Sequence, residues 1–146
     1  MIFPPLKDGS PLGLGGAPLG NLFAAMADQD AHAIINAALA AGCRCFDTAP
    51  HYGNGLSELR LGHALCGIAR NDFVVSSKVG RLLLAQEDAP ENQNGYVNVL
   101  PFVQAWDYSR AGVRRPAETA SSAAGCPRRC AEIGRASCRE RVCLAV

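Results

Sequence analysis

Apolar positions in the first eighty residues fall into two kinds of run that alternate along the chain. Ala31, Ile34, Ile35, Ala38 and Leu39 recur at i, i+3, i+4, i+7 and i+8, the stripe of a helix with one buried face. Asp30 is the expected N-cap and Gly42 the expected stop. Leu61, Leu65 and Ile68 repeat the stripe in a second helix, with Ser57 as expected N-cap and Glu58 in the first turn, where a carboxylate complements the helix dipole. The other kind of run is short and continuous. Leu12 to Gly16, Cys43 to Asp47 and Phe73 to Lys78 read as strands, the last β-branched and aromatic and closed by Gly80. Strands that are apolar throughout, separated by helices, predict parallel βα units and hence an α/β fold.

Between these elements the chain is rich in turn formers. Thr48 to Gly55 follows the second strand as a turn-rich loop, and Arg81 to about Tyr96 is polar without a period, which predicts a long surface loop. Phe102 to Gly112 reads as a short strand and turn. Beyond Gly112 the organisation fails. Of twelve arginines in the chain, seven follow Arg110, and four of seven cysteines (Cys126, Cys130, Cys138 and Cys143) crowd into the last twenty-one residues.

Composition narrows the class. A chain of 146 residues, 49% hydrophobic and with a net charge of +1, suits one soluble domain or a piece of a larger one, and nothing in that balance points to nucleic acid. No apolar stretch approaches the roughly 18 residues of a membrane span. Met1-Ile2-Phe3-Pro4-Pro5 lacks the basic leader and apolar core of a secretory signal, so the cytoplasm is the expected compartment. Cys43, Cys45 and Cys66 lie in apolar periodic segments and are expected to pack as small hydrophobes.

Candidate chemistry gathers at the strand ends. Asp47 and Lys78 close two predicted parallel strands, the end at which α/β folds place reacting groups, and Tyr52 lies in the loop after the first of them. Adjacent strand ends stand about 5 Å apart, so the three side chains are able to share one pocket. A phenol, with an ordinary pKa near 10, is a poor acid at neutral pH, but a neighbouring ammonium stabilises its phenolate. The aspartate would hold the lysine charged and in place. Gly13-Leu14-Gly15 superficially suggests a dinucleotide-binding turn, but the third glycine is missing at the required spacing and Ala17-Pro18 opens no helix. His51 either lines a substrate mouth beside Tyr52 or is a solvated loop histidine, whereas His63 and His32 are expected to be packed or surface residues, not ligands.

Phe46-Asp47-Thr48-Ala49-Pro50-His51-Tyr52-Gly53-Asn54-Gly55-Leu56-Ser57-Glu58, followed by Leu61-Gly62-His63-Ala64-Leu65, closely resembles a signature of the aldo-keto reductases. Ser76-Ser77-Lys78-Val79-Gly80 resembles the family's second motif, and Leu12 to Leu22 together with Trp106-Asp107-Tyr108-Ser109 is similar to its sugar-oxidising branch. The resemblance covers residues 1–112 and implies the amino-terminal part, about three βα units, of a (β/α)8 TIM barrel. It implies an oxidoreductase using NADP or NAD, without metal, on a small-molecule aldehyde, sugar or alcohol. On the same ground Tyr52 would be the general acid or base, Lys78 would tune it, and Asp47 would hold Lys78 and touch the nicotinamide ribose. Gly16 and Ala17 would lie where the first loop approaches the cofactor. The family's usual histidine at the end of a fourth strand is absent, since none follows His63, and such a barrel runs to about 250 residues. The 146 residues alone are therefore expected to be inactive.

Residues 113–146 are expected to form a disordered tail foreign to the natural reading frame. Thr119-Ala120-Ser121-Ser122 is what codons for Asp-Ser-Leu-Gln, read one base late, would encode, and Glu132 to Val142 resembles the translation of a sequencing-library adapter. The alternatives are a non-enzymatic binding or regulatory module whose four tail cysteines hold zinc, and a basic tail for nucleic acid. Intervals of three, seven and four residues make a weak zinc pattern, and the tail has neither aromatic residue nor lysine for nucleic acid.

Overall fold

A computed structural model describes residues 12–69, 72–114 and 142–145. Its frame is parallel β-sheet. Strands β1 (Gly13–Gly15), β2 (Cys45–Asp47) and β3 (Val74–Lys78) lie side by side in chain order, with Gly15 opposite Asp47 and Asp47 opposite Ser76. Helix α1 (Asp28–Ala40) joins the first pair and α2 (Leu56–Leu65) the second. The predicted βα order is therefore present, and it aligns the carboxyl ends of all three strands at one edge of the sheet.

The core lies between the helices and one face of the sheet. Phe46 and Phe73 meet edge to face at 6.5 Å, packed with Ala31 and Ile35 of α1 and Leu61 and Leu65 of α2. Ile34, at the border of the predicted stripe, is exposed. Both predicted N-caps are displaced. Ala27, in extended backbone, caps α1, so Asp30 sits inside the first turn with Asp28 and acts on the helix dipole. Gly55, at φ +94°, caps α2, which places Ser57 within the helix and frees its hydroxyl for tertiary bonds. Of the three cysteines expected to be buried, Cys43 is, Cys45 is half-buried and Cys66 is exposed at the end of α2.

The expected surface loop from Arg81 contains a strand. β4 (Arg81–Ala85) pairs antiparallel with β5 (Phe102–Trp106), Arg81 opposite Trp106 and Ala85 opposite Phe102. Leu82 and Leu83 are buried while Leu84 is exposed, so no alternation announces the strand, and its partner is too distant for a hairpin signal. The connection folds back onto the loop after β1 through Phe23 N–H to Gly95 O and Val97 N–H to Asn21 O, and Tyr96 is buried there. A short helix, α3 (Arg110–Arg114), follows.

Most of the expected disordered tail, including Cys126, Cys130 and Cys138, lies outside the described residues. Val142–Ala145 differs from that expectation. It forms β6, parallel to β3, with Cys143 opposite Ser76. The backbone groups on the outer edge of β3 form a template for any short apolar segment that reaches them. Among the described residues no helix is long and apolar enough to cross a membrane, and no three His, Cys, Asp or Glu side chains are grouped as a metal would need.

Candidate active site

The trio at the strand ends is assembled. Lys78 Nζ donates to Asp47 Oδ2 at 2.9 Å and to Thr48 O at 3.1 Å, and stands 4.8 Å from the centre of the Tyr52 ring. Burial opposes the lysine's charge, but hydrogen bonds and attraction to Asp47 and Tyr52 outweigh it and raise its pKa above the ordinary value. Both charged side chains remain partly open to solvent, at 37% for Lys78 and 46% for Asp47, so the cluster faces an accessible surface. Tyr52 is seated by backbone contact. A Cβ on Gly20 would lie 2.5 Å from the Tyr52 carbonyl carbon, and Gly53 turns at φ +67° against Gly20 O, so only glycines allow the two loops to touch.

The first turn of α2 binds the three strand ends together. Ser57 Oγ donates to Gly16 O at 2.7 Å and accepts from Thr48 Oγ1 at 2.9 Å, while Glu58 Oε1 accepts from Ser77 Oγ at 2.8 Å. Burial pushes the Glu58 carboxyl up to about 7, against the opposing pull of the Ser77 bond and the Lys78 charge. Its protonated form is favoured by the fold, so that contribution to stability is complete below about 4.5 and is lost as the pH rises through about 7. Relative to Glu58→Gln, the wild type is expected to lose about 1–3 kcal/mol between pH 5 and pH 8, the low end reflecting the carboxyl's residual solvent contact. Urea unfolding at both pH values tests this, and parallel profiles for the two proteins would refute it.

A second polar group borders Tyr52 from the β4–β5 ribbon. Asn54 Nδ2 donates to Phe102 O and Leu100 O, and Asn54 Oδ1 accepts from Gln104 Nε2 at 2.7 Å. That bond turns Gln104 Oε1 toward Arg81 Nη1, 2.6 Å away, and toward His51 Nδ1, 3.1 Å away. Arg81 Nη1 is also 2.9 Å from His51 Nδ1, which accepts from Arg81 in one neutral tautomer and donates to Gln104 Oε1 in the other. Burial lowers the His51 pKa, a bond to Gln104 raises it, and the Arg81 charge lowers it again, with a net fall. The rings of His51 and Tyr52 are 6.3 Å apart, and Tyr96 packs on both, at 5.2 Å from His51 and stacked 6.0 Å from Tyr52. His51 is thus half-buried and packed beside Tyr52.

Asp47, Tyr52 and Lys78 are thus together, with Gly16 and Ala17 at the next strand end. Gly16 is buried, and a Cβ there would lie 2.6 Å from Asp47 O and 2.7 Å from Ser57 Oγ, so close packing within the protein explains the glycine. Ala17 is half-buried where the turn Pro18–Gly20 begins. His32 and His63 pack against each other at 6.3 Å, as residues of a helix pair. Sequence reasoning missed Tyr96 as a neighbour of Tyr52, and Arg81 and Gln104 as neighbours of His51. A single tyrosine in an otherwise polar loop was the one available signal for Tyr96.

The chain matches the model of the Aldo/keto reductase family over residues 11–114. It is 46% identical over 107 residues to the D-threo-aldose 1-dehydrogenase of a Pseudomonas species, an alignment covering 70% of this chain and 32% of that protein. It is 38% identical over 125 residues to the pyridoxal 4-dehydrogenase of Microbacterium luteolum, covering 80% and 36%. Among solved structures, the glycerol dehydrogenase of Gluconobacter oxydans superimposes with a TM-score of 0.55 at 27% identity, covering 82% of this chain and 34% of that one. The chain therefore spans about a third of the length of these relatives. With the family's motif residues converging at the ends of parallel strands, the chain belongs to the aldo/keto reductase family of oxidoreductases.

Proposed function

We propose that residues 1–112 are the amino-terminal part of an NADP- or NAD-dependent oxidoreductase acting on an aldose or a related aldehyde or alcohol, and that they supply its acid–base group. The observation that carries this reading is the Asp47–Lys78–Tyr52 cluster. Its donor set suits a nicotinamide nucleotide. The half-exposed Asp47 carboxylate is an acceptor for a ribose hydroxyl, and Gly16 and Ala17 lie on the neighbouring strand end where such a group would rest. The cofactor's chemistry is to accept or donate a hydride at its ring. Tyr52 holds the proton that the substrate oxygen gains or loses, Lys78 stabilises the negative charge on the phenol oxygen when that proton leaves, and Asp47 fixes Lys78.

The same reading takes residues 113–146 as foreign to the natural protein and the 146 residues alone as inactive, since about three of eight βα units are present. The test is to place residues 12–112 in the corresponding first third of the Pseudomonas D-threo-aldose 1-dehydrogenase and follow nucleotide reduction at 340 nm with an aldose. Turnover supports the reading. A folded chimera that binds nucleotide and turns over no substrate overturns it.

A further inference from the structure

Resting on that reading, we propose that Arg81 is a specificity-determining residue that receives an anionic group, carboxylate or phosphate, at the end of the substrate remote from the reacting carbon. Arg81 opens β4, beside the loop that carries Tyr52, and its orientation is imposed from behind by the chain of bonds from Phe102 O through Asn54 and Gln104. One nitrogen, Nη1, makes both of its contacts, to Gln104 and to His51. Among the described residues Nη2 and Nε take no hydrogen bond, and no carboxylate lies within ion-pair distance. Three of the five N–H groups of the guanidinium, in the fork that suits a carboxylate or phosphate, are thus left over.

A purely structural role as a clamp on the ribbon would be met by Nη1 alone. The guanidinium also lies 4.1 Å over the Trp106 ring, which is 62% exposed and holds the cation flat without neutralising it. The path from Arg81 to the acid–base group is short. It runs through His51, which touches Arg81 at 2.9 Å and packs against Tyr52 and Tyr96. The charge of Arg81 also reaches Tyr96, which in turn stacks on Tyr52. A substrate with its reacting carbon at Tyr52 would lie along these rings with its far end at Arg81.

Trp106 is the chain's single tryptophan, so its fluorescence reports on this corner directly. The full chain would be titrated with D-galactose and D-galacturonate, and with D-arabinose and D-arabinose 5-phosphate, each pair differing by one anionic group. The charged member of at least one pair is expected to bind about tenfold more tightly than its neutral partner, with the preference shrinking in high salt and lost in Arg81→Gln. A preference for galacturonate assigns the site to carboxylates, and one for the phosphosugar to phosphates. Equal affinities within both pairs, absence of binding by all four, or a preference that survives Arg81→Gln would overturn the proposal. Where Arg81→Gln does not fold, equal wild-type affinities within both pairs still overturn the proposal. Because binding is read and not turnover, an anion preference in a chain whose chimera is inactive would sink the enzyme reading and leave Arg81 as an anion-binding residue without a substrate role.

Discussion

In a barrel completed by the remaining two thirds of a relative, Tyr52→Phe is expected to lower the rate of hydride transfer by a factor of about 10²–10⁴, the range for loss of a positioned acid or base. The substitution isolates the hydroxyl. A phenylalanine ring keeps the stack on Tyr96 and the face presented to Lys78 Nζ, and the glycine contact between Gly20 and Gly53 does not involve the side chain. Folding and nucleotide affinity should therefore stay close to wild type while kcat falls. Stopped-flow measurement of the nicotinamide absorbance separates the two quantities. A loss smaller than tenfold would mean that the proton passes through another group, and His51, 6.3 Å from the Tyr52 ring, would be the next to test.

Arg60→Met is expected to cost about 2–4 kcal/mol, because it takes a buried donor from several acceptors and each one left unsatisfied costs about 1–3 kcal/mol. Arg60 is 4% exposed within α2 and its guanidinium organises the loop that leads into α1. Nη1 donates to Leu19 O and Asn21 Oδ1, Nη2 to Met26 O, and Nε to Asp28 Oδ1. The Asp28 side chain is 76% exposed, so its ion pair contributes little, and the penalty comes from the three acceptors inside the loop. Methionine fills the same channel and leaves Leu19 O and Met26 O without that donor, while Asn21 Oδ1 keeps the Met26 N–H. A domain of ordinary stability, about 5–15 kcal/mol, would lose much of its margin. Urea unfolding measures the loss, and a midpoint unchanged from wild type would show that the loop finds other donors. Arg60→Lys should fall between the two proteins, because an ammonium satisfies fewer of the divergent acceptors.

The order of parallel strands and helices was legible because its signals are local. The stripe Ala31, Ile35, Ala38 and the continuous run Phe73 to Lys78 each lie within one element, and short βα connections leave few alternatives to neighbouring parallel strands. Asp47, Tyr52 and Lys78 were legible for the same reason. Each stands at or just past the end of a strand, and parallel pairing brings those ends to one side without any further information. The N-caps were less legible, since Asp30 and Ser57 have the right chemistry but the true caps, Ala27 and Gly55, are chosen by backbone conformation.

By itself the sequence determined an α/β frame, the family signature and the gathering of Asp47, Tyr52 and Lys78 at the strand ends, all set by neighbours in the chain or by the period of its apolar residues. Only the tertiary structure decided that β4 and β5 form a ribbon against the loop after Tyr52, that Arg81 meets His51 and Gln104, and that Glu58 bonds Ser77 beside Lys78. These contacts join residues 17 to 53 positions apart, from Ala85 with Phe102 to His51 with Gln104. At such separations the partners are selected by how the loops fold back on the sheet, and neither hydrophobic period nor residue type records that choice.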